Sequence, residues 1–144
     1  MNSQDQQLFT LDNETKTKLG ASKIHGVGVF AIKDIQKGEK LYLLPPKGFM
    51  NEPPPVYNLP HASLKKLRPE VKELILDRWP AVINGSHFIA PNDMAVLCTF
   101  VNHSEEPNYE ISTDKALKDI RAGEEVVQNY RLMENYEKIY TWLN

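Results

Sequence analysis

Asn102, His103 and Tyr130 are the residues whose types and spacing could do chemistry. An amide offers a donor and an acceptor, an imidazole either role at each nitrogen, and a phenol one O–H. The pair sits in Phe100-Val-Asn-His-Ser-Glu-Glu-Pro-Asn-Tyr109, and Tyr130 closes Asp119-Ile-Arg-Ala-Gly-Glu-Glu-Val-Val-Gln-Asn-Tyr130. The run Val96 to Val101 is apolar and β-rich, which predicts a buried strand delivering the pair to the edge of a core. Polar groups placed there need partners, because each one left unpaired costs about 1–3 kcal/mol. Backbone and ligand both qualify.

Other candidates have plain structural readings when taken one at a time. Gly26-Val27-Gly28 lacks the third glycine and the following helix of a nucleotide fingerprint, so by itself it reads as a turn. His25, His61, His87 and His103 are not spaced as zinc ligands, and His103 beside Ser104 makes no hydrolase triad. Glu124 and Glu125 follow Ala122-Gly123, where a carboxylate pair is expected to be a solvated tip rather than a general acid. Cys98, the single cysteine, lies in an apolar run and is expected in the core.

The whole chain bounds the classes. Its 144 residues can bury a core without disulfide or metal staples. Lys plus Arg number 17 against 19 Asp plus Glu, so it is no polycation holding nucleic acid by phosphate neutralisation. No apolar stretch approaches the roughly 18–20 residues of a membrane span, and Met1-Asn-Ser-Gln-Asp-Gln-Gln7 does not resemble a signal peptide. The expectation is an intracellular protein, cytoplasmic or nuclear, with no membrane and no direct nucleic-acid partner.

The elements that must position the candidates read as α+β, mostly β. Residues 1–15 are polar apart from Leu8, Phe9 and Leu11 and suggest a flexible or edge-attached arm, with a single domain over 16–144. Leu19 to Leu44 alternates apolar residues with glycines, predicting short strands and tight turns. Six prolines between Pro45 and Pro60 predict a surface loop. Leu64, Leu67, Val71, Leu74 and Ile75 have helical spacing, Pro69 suits a first turn, and Trp79-Pro80 ends the helix. Strands and turns follow from Ala81 to Ala116, with Asn84-Gly85 a hairpin signal. Residues 131–144 predict an amphipathic C-terminal helix.

Taken together, three blocks resemble the SET-domain family of protein lysine methyltransferases. Ser22-Lys-Ile-His-Gly-Val-Gly-Val-Phe-Ala31 with Asp34-Ile-Gln-Lys-Gly-Glu39 is similar to its N-terminal block. Phe100 to Asn108 is similar to its Asn-His-Ser motif, and Asp119 to Tyr130 to its C-terminal block. The likeness runs from about Lys16 to Tyr130, with 45–91 as the family's variable insert. It implies small sheets, a helical insert and a threaded, pseudoknot-like C-terminal segment that brings Tyr130 beside the Asn-His pair.

The resemblance also implies S-adenosyl-L-methionine as cofactor, held by His25, Gly26, Val27, Gly28, Asn102 and His103, with Trp142 over the adenine and no metal. Tyr130 matches the catalytic tyrosine. The substrate implied is a lysine in a protein or peptide, histones included. Only a neutral amine is nucleophilic, so the site must disfavour the charged lysine, whose ordinary pKa is about 10.4. A catalytically silent SET-like module that binds a peptide or partner is the alternative. Its best argument is a departure: Asn129 replaces the usual aspartate before the tyrosine, and Gln128 replaces a frequent aromatic two before it. The cysteine-rich zinc segment that many members carry has no counterpart after Tyr130. Glu105, Glu106, Glu110 and Asp114 could form an acidic landing strip for a basic peptide, although such residues more often form a solvated face.

Overall fold

The computed structural model describes residues 2–44, 56–90, 97–132 and 142. In chain order the elements are α1 (Ser3–Glu14), β1 (Thr17–Ala21), β2 (Val27–Ala31), β3 (Tyr57–Pro60), α2 (Pro69–Arg78), β4 (Val82–Ile83), β5 (Ser86–Ile89), β6 (Asn102–His103), β7 (Tyr109–Glu110), β8 (Lys115–Ala116) and β9 (Glu125–Gln128). Short 3-10 helices cover His61–Lys66, Leu97–Phe100 and Tyr130–Leu132. The chain divides into two compact units, Met1–Lys16 with Tyr42–Val96 and Thr17–Leu41 with Leu97–Asn144. No helix among the described residues is long and apolar enough to cross a membrane.

In the first unit, the residues expected as a flexible arm form α1. Asn2 caps it, its Oδ1 accepting from Asp5 N at 2.8 Å, and Leu8 and Leu11, three apart, are buried. Two anchors and a cap suffice once a packing face exists, and a polar composition conceals that face. The insert follows the proline logic: Pro69 opens α2, Val71 and Ile75 bury its inner face, and the Trp79 N–H closes it on Ile75 O. Asp12 Oδ1 accepts from Arg68 N at 2.9 Å, tying α1 to the start of α2. β3, β5 and β4 form an antiparallel sheet in that order. Its β4–β5 turn has positive φ at Asn84 (52°) and Gly85 (80°), the geometry of a two-residue hairpin.

The second unit holds the residues of interest. Its four-stranded sheet runs β1-β2-β9-β6. β2 pairs antiparallel with β1 and with β9, Val29 facing Val126, whereas β6 pairs parallel with β9. The C-terminal strand is therefore inserted between two strands formed earlier in the chain. Val29, Ala31, Val101, Tyr109, Val126 and Val127 are buried around it. Asn108 extends the grip on β9: its Oδ1 accepts from Val127 N (2.8 Å) and its Nδ2 donates to Glu125 O (2.9 Å). Small sheets with few helices, mixed and mostly β, are the class expected.

The approach to the Asn-His pair differs from expectation. Leu97–Phe100 is a 3-10 turn, and the strand proper is only Asn102–His103. Only Cys98 of the turn is buried and Phe100 is exposed; a short apolar run fits a turn as well as a strand, and periodicity does not separate them. Of the predicted C-terminal helix over 131–144, residues 133–141, 143 and 144 lie outside the described residues, as does Pro91-Asn92-Asp93.

Candidate functional site

The site begins with the turn before β2. Ser22 N donates to Gly26 O at 2.8 Å, closing the turn. Ser22 Oγ accepts from Ile24 N (2.9 Å) and His25 N (3.2 Å) and donates its proton to the Glu125 carboxylate, whose two oxygens lie at 2.8 and 2.9 Å. Gly28 passes close to that carboxylate. A Cβ there would collide with Glu125 Oε2, and Glu125 Cδ would lie 2.9 Å away. Only glycine permits this approach.

Asn102 joins the same cluster from β6. Its Nδ2 donates to Glu125 Oε2 (2.9 Å) and His25 O (3.1 Å), with Val27 O a longer third acceptor at 3.3 Å. Carbonyl and carboxylate oxygens only accept, so the three together decide which end of the amide is nitrogen. Asn102 is thus the clamp between the glycine turn and β9.

His103 faces Tyr130. Its Nδ1 accepts from the Tyr130 backbone N–H at 3.0 Å, and a backbone N–H can only donate, so the ring proton sits on Nε2, which approaches Glu105 Oε1 at 3.3 Å. The Tyr130 hydroxyl donates to Val101 O at 2.6 Å. Trp142 packs edge-on to both rings, with centroids 5.9 Å from His103 and 6.2 Å from Tyr130. These side chains, with Ile24, His25 and Asn102, line a cavity of about 550 Å³.

Of the residues singled out in the sequence, the structure gathers His25, Asn102, His103, Tyr130 and Trp142 at the cavity. Gly26 (φ +51°) ends the turn, and Val27 and Gly28 open β2. Sequence reasoning missed Ile24 in the wall, and Ser22, Asn108 and Glu125 as anchors. Glu125 is a correction: Glu124 is exposed, but its neighbour is half-buried and hydrogen-bonded to Ser22 and Asn102. Strand alternation turns adjacent residues to opposite faces, the available signal that the pair would split.

The residues flanking Tyr130 are equally specific. Asn129 Oδ1 accepts from Arg131 N at 3.0 Å and so caps the turn that carries the tyrosine. Arg131 Nε donates to Glu105 Oε1 at 2.9 Å. That bond first, and His103 second, hold the Glu105 carboxyl below its usual range. Gln128 is buried and borders a second cavity of about 260 Å³, with Tyr109, Glu110, Leu117, Asn129 and Leu132 among its lining residues. The acidic strip is incomplete: Asp114 is buried, its Oδ1 accepting from Tyr109 OH at 2.6 Å, while Glu105 and Glu106 are exposed. Cys98 is buried as expected, and burial pushes its thiol up, with the Asp114 charge adding.

A model of the SET domain matches residues 26–131. The chain belongs to the SET-domain family. The match brackets Gly26 to Gly28, Asn102, His103 and Tyr130, whereas His25 immediately precedes it and Trp142 lies well beyond its end. Two solved structures are similar to this SET domain. One is a Plasmodium falciparum protein described as a candidate histone methyltransferase, 19% identical, covering 83% of this chain and 96% of that one at a TM-score of 0.39. The other is the methyltransferase domain of human PR domain-containing protein 2, 22% identical, covering 78% of this chain and 75% of that one at a TM-score of 0.36. No curated protein matches the sequence.

Proposed function

We propose that this SET domain transfers a methyl group from S-adenosyl-L-methionine to the side-chain nitrogen of a lysine in a protein or peptide, with histone tails within that class. The observation that carries the reading is the convergence of Asn102, His103 and Tyr130 on one cavity of about 550 Å³ beside the glycine turn. The lining suits such a cofactor. Ile24 and Trp142 offer apolar and aromatic surface, and Asn102 and His103 offer polar atoms. His25, Asn102, His103 and Trp142 would hold it, with Gly26 to Gly28 keeping the backbone close. When bound, it supplies an electrophilic methyl group on a sulfonium.

Tyr130 is restrained at both ends, its backbone by His103 Nδ1 and its hydroxyl by Val101 O. Because the hydroxyl donates its proton to that carbonyl, the phenolic oxygen acts toward a reacting group as an acceptor and not as a donor. Positive charge spreads during attack of a neutral amine on a sulfonium methyl, and a fixed oxygen dipole stabilises it without reorganising. On β9, alternation turns Gln128 to the face opposite Glu125, where the cavity of about 260 Å³ lies against Asn129. In this reading the target side chain approaches from there. Neither cavity requires a general base, since desolvation favours the uncharged amine.

The test is transfer of radiolabelled methyl groups from the cofactor to a histone and peptide array, with calorimetric titration of the cofactor alongside. Labelling lost when acceptor lysines are replaced by arginine is expected. No heat of binding at several hundred micromolar cofactor, roughly the weak end of ordinary affinities, together with no labelling, would sink the proposal.

A further inference from the structure

We infer that Glu125 is the positioning residue of the cofactor cavity: its carboxylate locks the glycine turn and turns Asn102 so that an acceptor oxygen, not a donor, meets the ligand. This rests on the methyl-donor reading above. One carboxylate receives the Ser22 hydroxyl on both oxygens and the Asn102 amide on one of them. Ser22 in turn holds the Ile24 and His25 backbone N–H groups, so the orientation of Glu125 is passed to two residues of the cavity wall. The missing Cβ at Gly28 is what gives the carboxylate room.

Asn102 is the more telling partner. Its nitrogen is committed to Glu125, His25 O and Val27 O, and among the described residues none donates to its Oδ1. The amide belongs to a residue that lines the cavity, so Oδ1 is the end available to a ligand N–H. Without the carboxylate, the amide loses its shortest acceptor and is held only by the two longer bonds to His25 O and Val27 O, so its orientation toward the ligand is less fixed. An ionised acceptor makes the stronger kind of hydrogen bond, so Glu125 contributes more to that choice than either carbonyl.

The experiment measures S-adenosyl-L-methionine binding by calorimetry, well below each protein's melting temperature, with steady-state kinetics in parallel. Relative to the unsubstituted protein, Glu125→Ala is expected to weaken binding by about 10-fold or more, and Ser22→Ala to follow in the same direction. Glu125→Gln, which keeps one acceptor oxygen, falls between. Its defect lies in cofactor KM, while kcat at saturating cofactor stays within about 3-fold. Glu124→Gln, on the exposed neighbour, is unchanged. Should Glu125→Ala not fold, Glu125→Gln and Ser22→Ala decide. Binding by all variants within about 2-fold of the unsubstituted protein overturns the inference and leaves the methyl-donor reading standing. So does a loss confined to melting temperature and kcat. Failure of the unsubstituted protein to bind overturns both.

Discussion

His103 and Tyr130 are joined through one asymmetric bond: the tyrosine's backbone N–H enters the histidine's Nδ1 at 3.0 Å, and the two rings lie 5.2 Å apart. The histidine therefore acts on the tyrosine by placing its main chain, while the phenol is held separately by Val101 O. Parallel pairing of β6 with β9, which sets His103 opposite Gln128, brings the two into reach.

Removing the hydroxyl tests that separation. Tyr130→Phe keeps the backbone bond to His103 and the ring packing but loses the fixed oxygen. The expected result is a kcat lower by about 10-fold to 1000-fold with little change in cofactor affinity. Initial rates and calorimetry on the same preparation check it, and an unchanged rate removes Tyr130 from the chemistry.

Gly28 tests the close approach. Gly28→Ala places a methyl group against the Glu125 carboxylate, whereas at Gly26 an added Cβ meets nothing within 4 Å and the strain comes from φ alone. Gly26→Ala should cost about 1 kcal/mol, and Gly28→Ala more, together with weaker cofactor binding. Urea denaturation and calorimetry would compare the two, and equal effects would contradict the geometry.

Tyr109 should mark the alkaline limit of stability. Burial first, then its bond to Asp114, pushes its phenol well above the ordinary 10.0. The folded value is raised, so this contribution is complete below about pH 10 and is lost as pH rises above it, because the unfolded chain releases the proton first. Absorbance titration should show Tyr109 ionising only as the protein unfolds, a late phase missing in Tyr109→Phe. That variant should also be less stable at neutral pH by about 1–3 kcal/mol.

Glu105 behaves in the opposite sense. Arg131, and then His103, lower its carboxyl below the ordinary 4.5, so any stabilisation from the pair is present above that value and lost as pH falls through the folded one. Being exposed, the pair should be sensitive to salt. NMR titration should find a midpoint under 4.5 that rises in Arg131→Gln, and no rise would show that Arg131 is not the cause.

Much of this was legible in the residues. Pro69 opening α2, the Asn84-Gly85 turn and the stops at Trp79-Pro80 are local steric rules, and they held because each depends on the φ range of one or two residues. α1 was not legible, because its helix depends on a face for Leu8 and Leu11 that the local sequence does not contain. Nor was the short 3-10 approach at Leu97–Phe100. Asn129 carries a quieter lesson. As a departure from the family's aspartate it raises the question of lost charge, yet its retained acceptor caps the Tyr130 turn.

The sequence by itself determined the family and the identities of Asn102, His103 and Tyr130, because those rest on residue type and order. Only the tertiary structure decided how they are used. That Glu125 anchors the turn while Glu124 faces solvent goes with the register that sets Asn102 beside Val127, on the same face of β9 as Glu125, a long-range pairing. That the Asn102 nitrogen points inward follows from acceptors 23 and 77 positions away. Hydrogen bonds across such separations are set by strand pairing, which spacing along the chain does not encode.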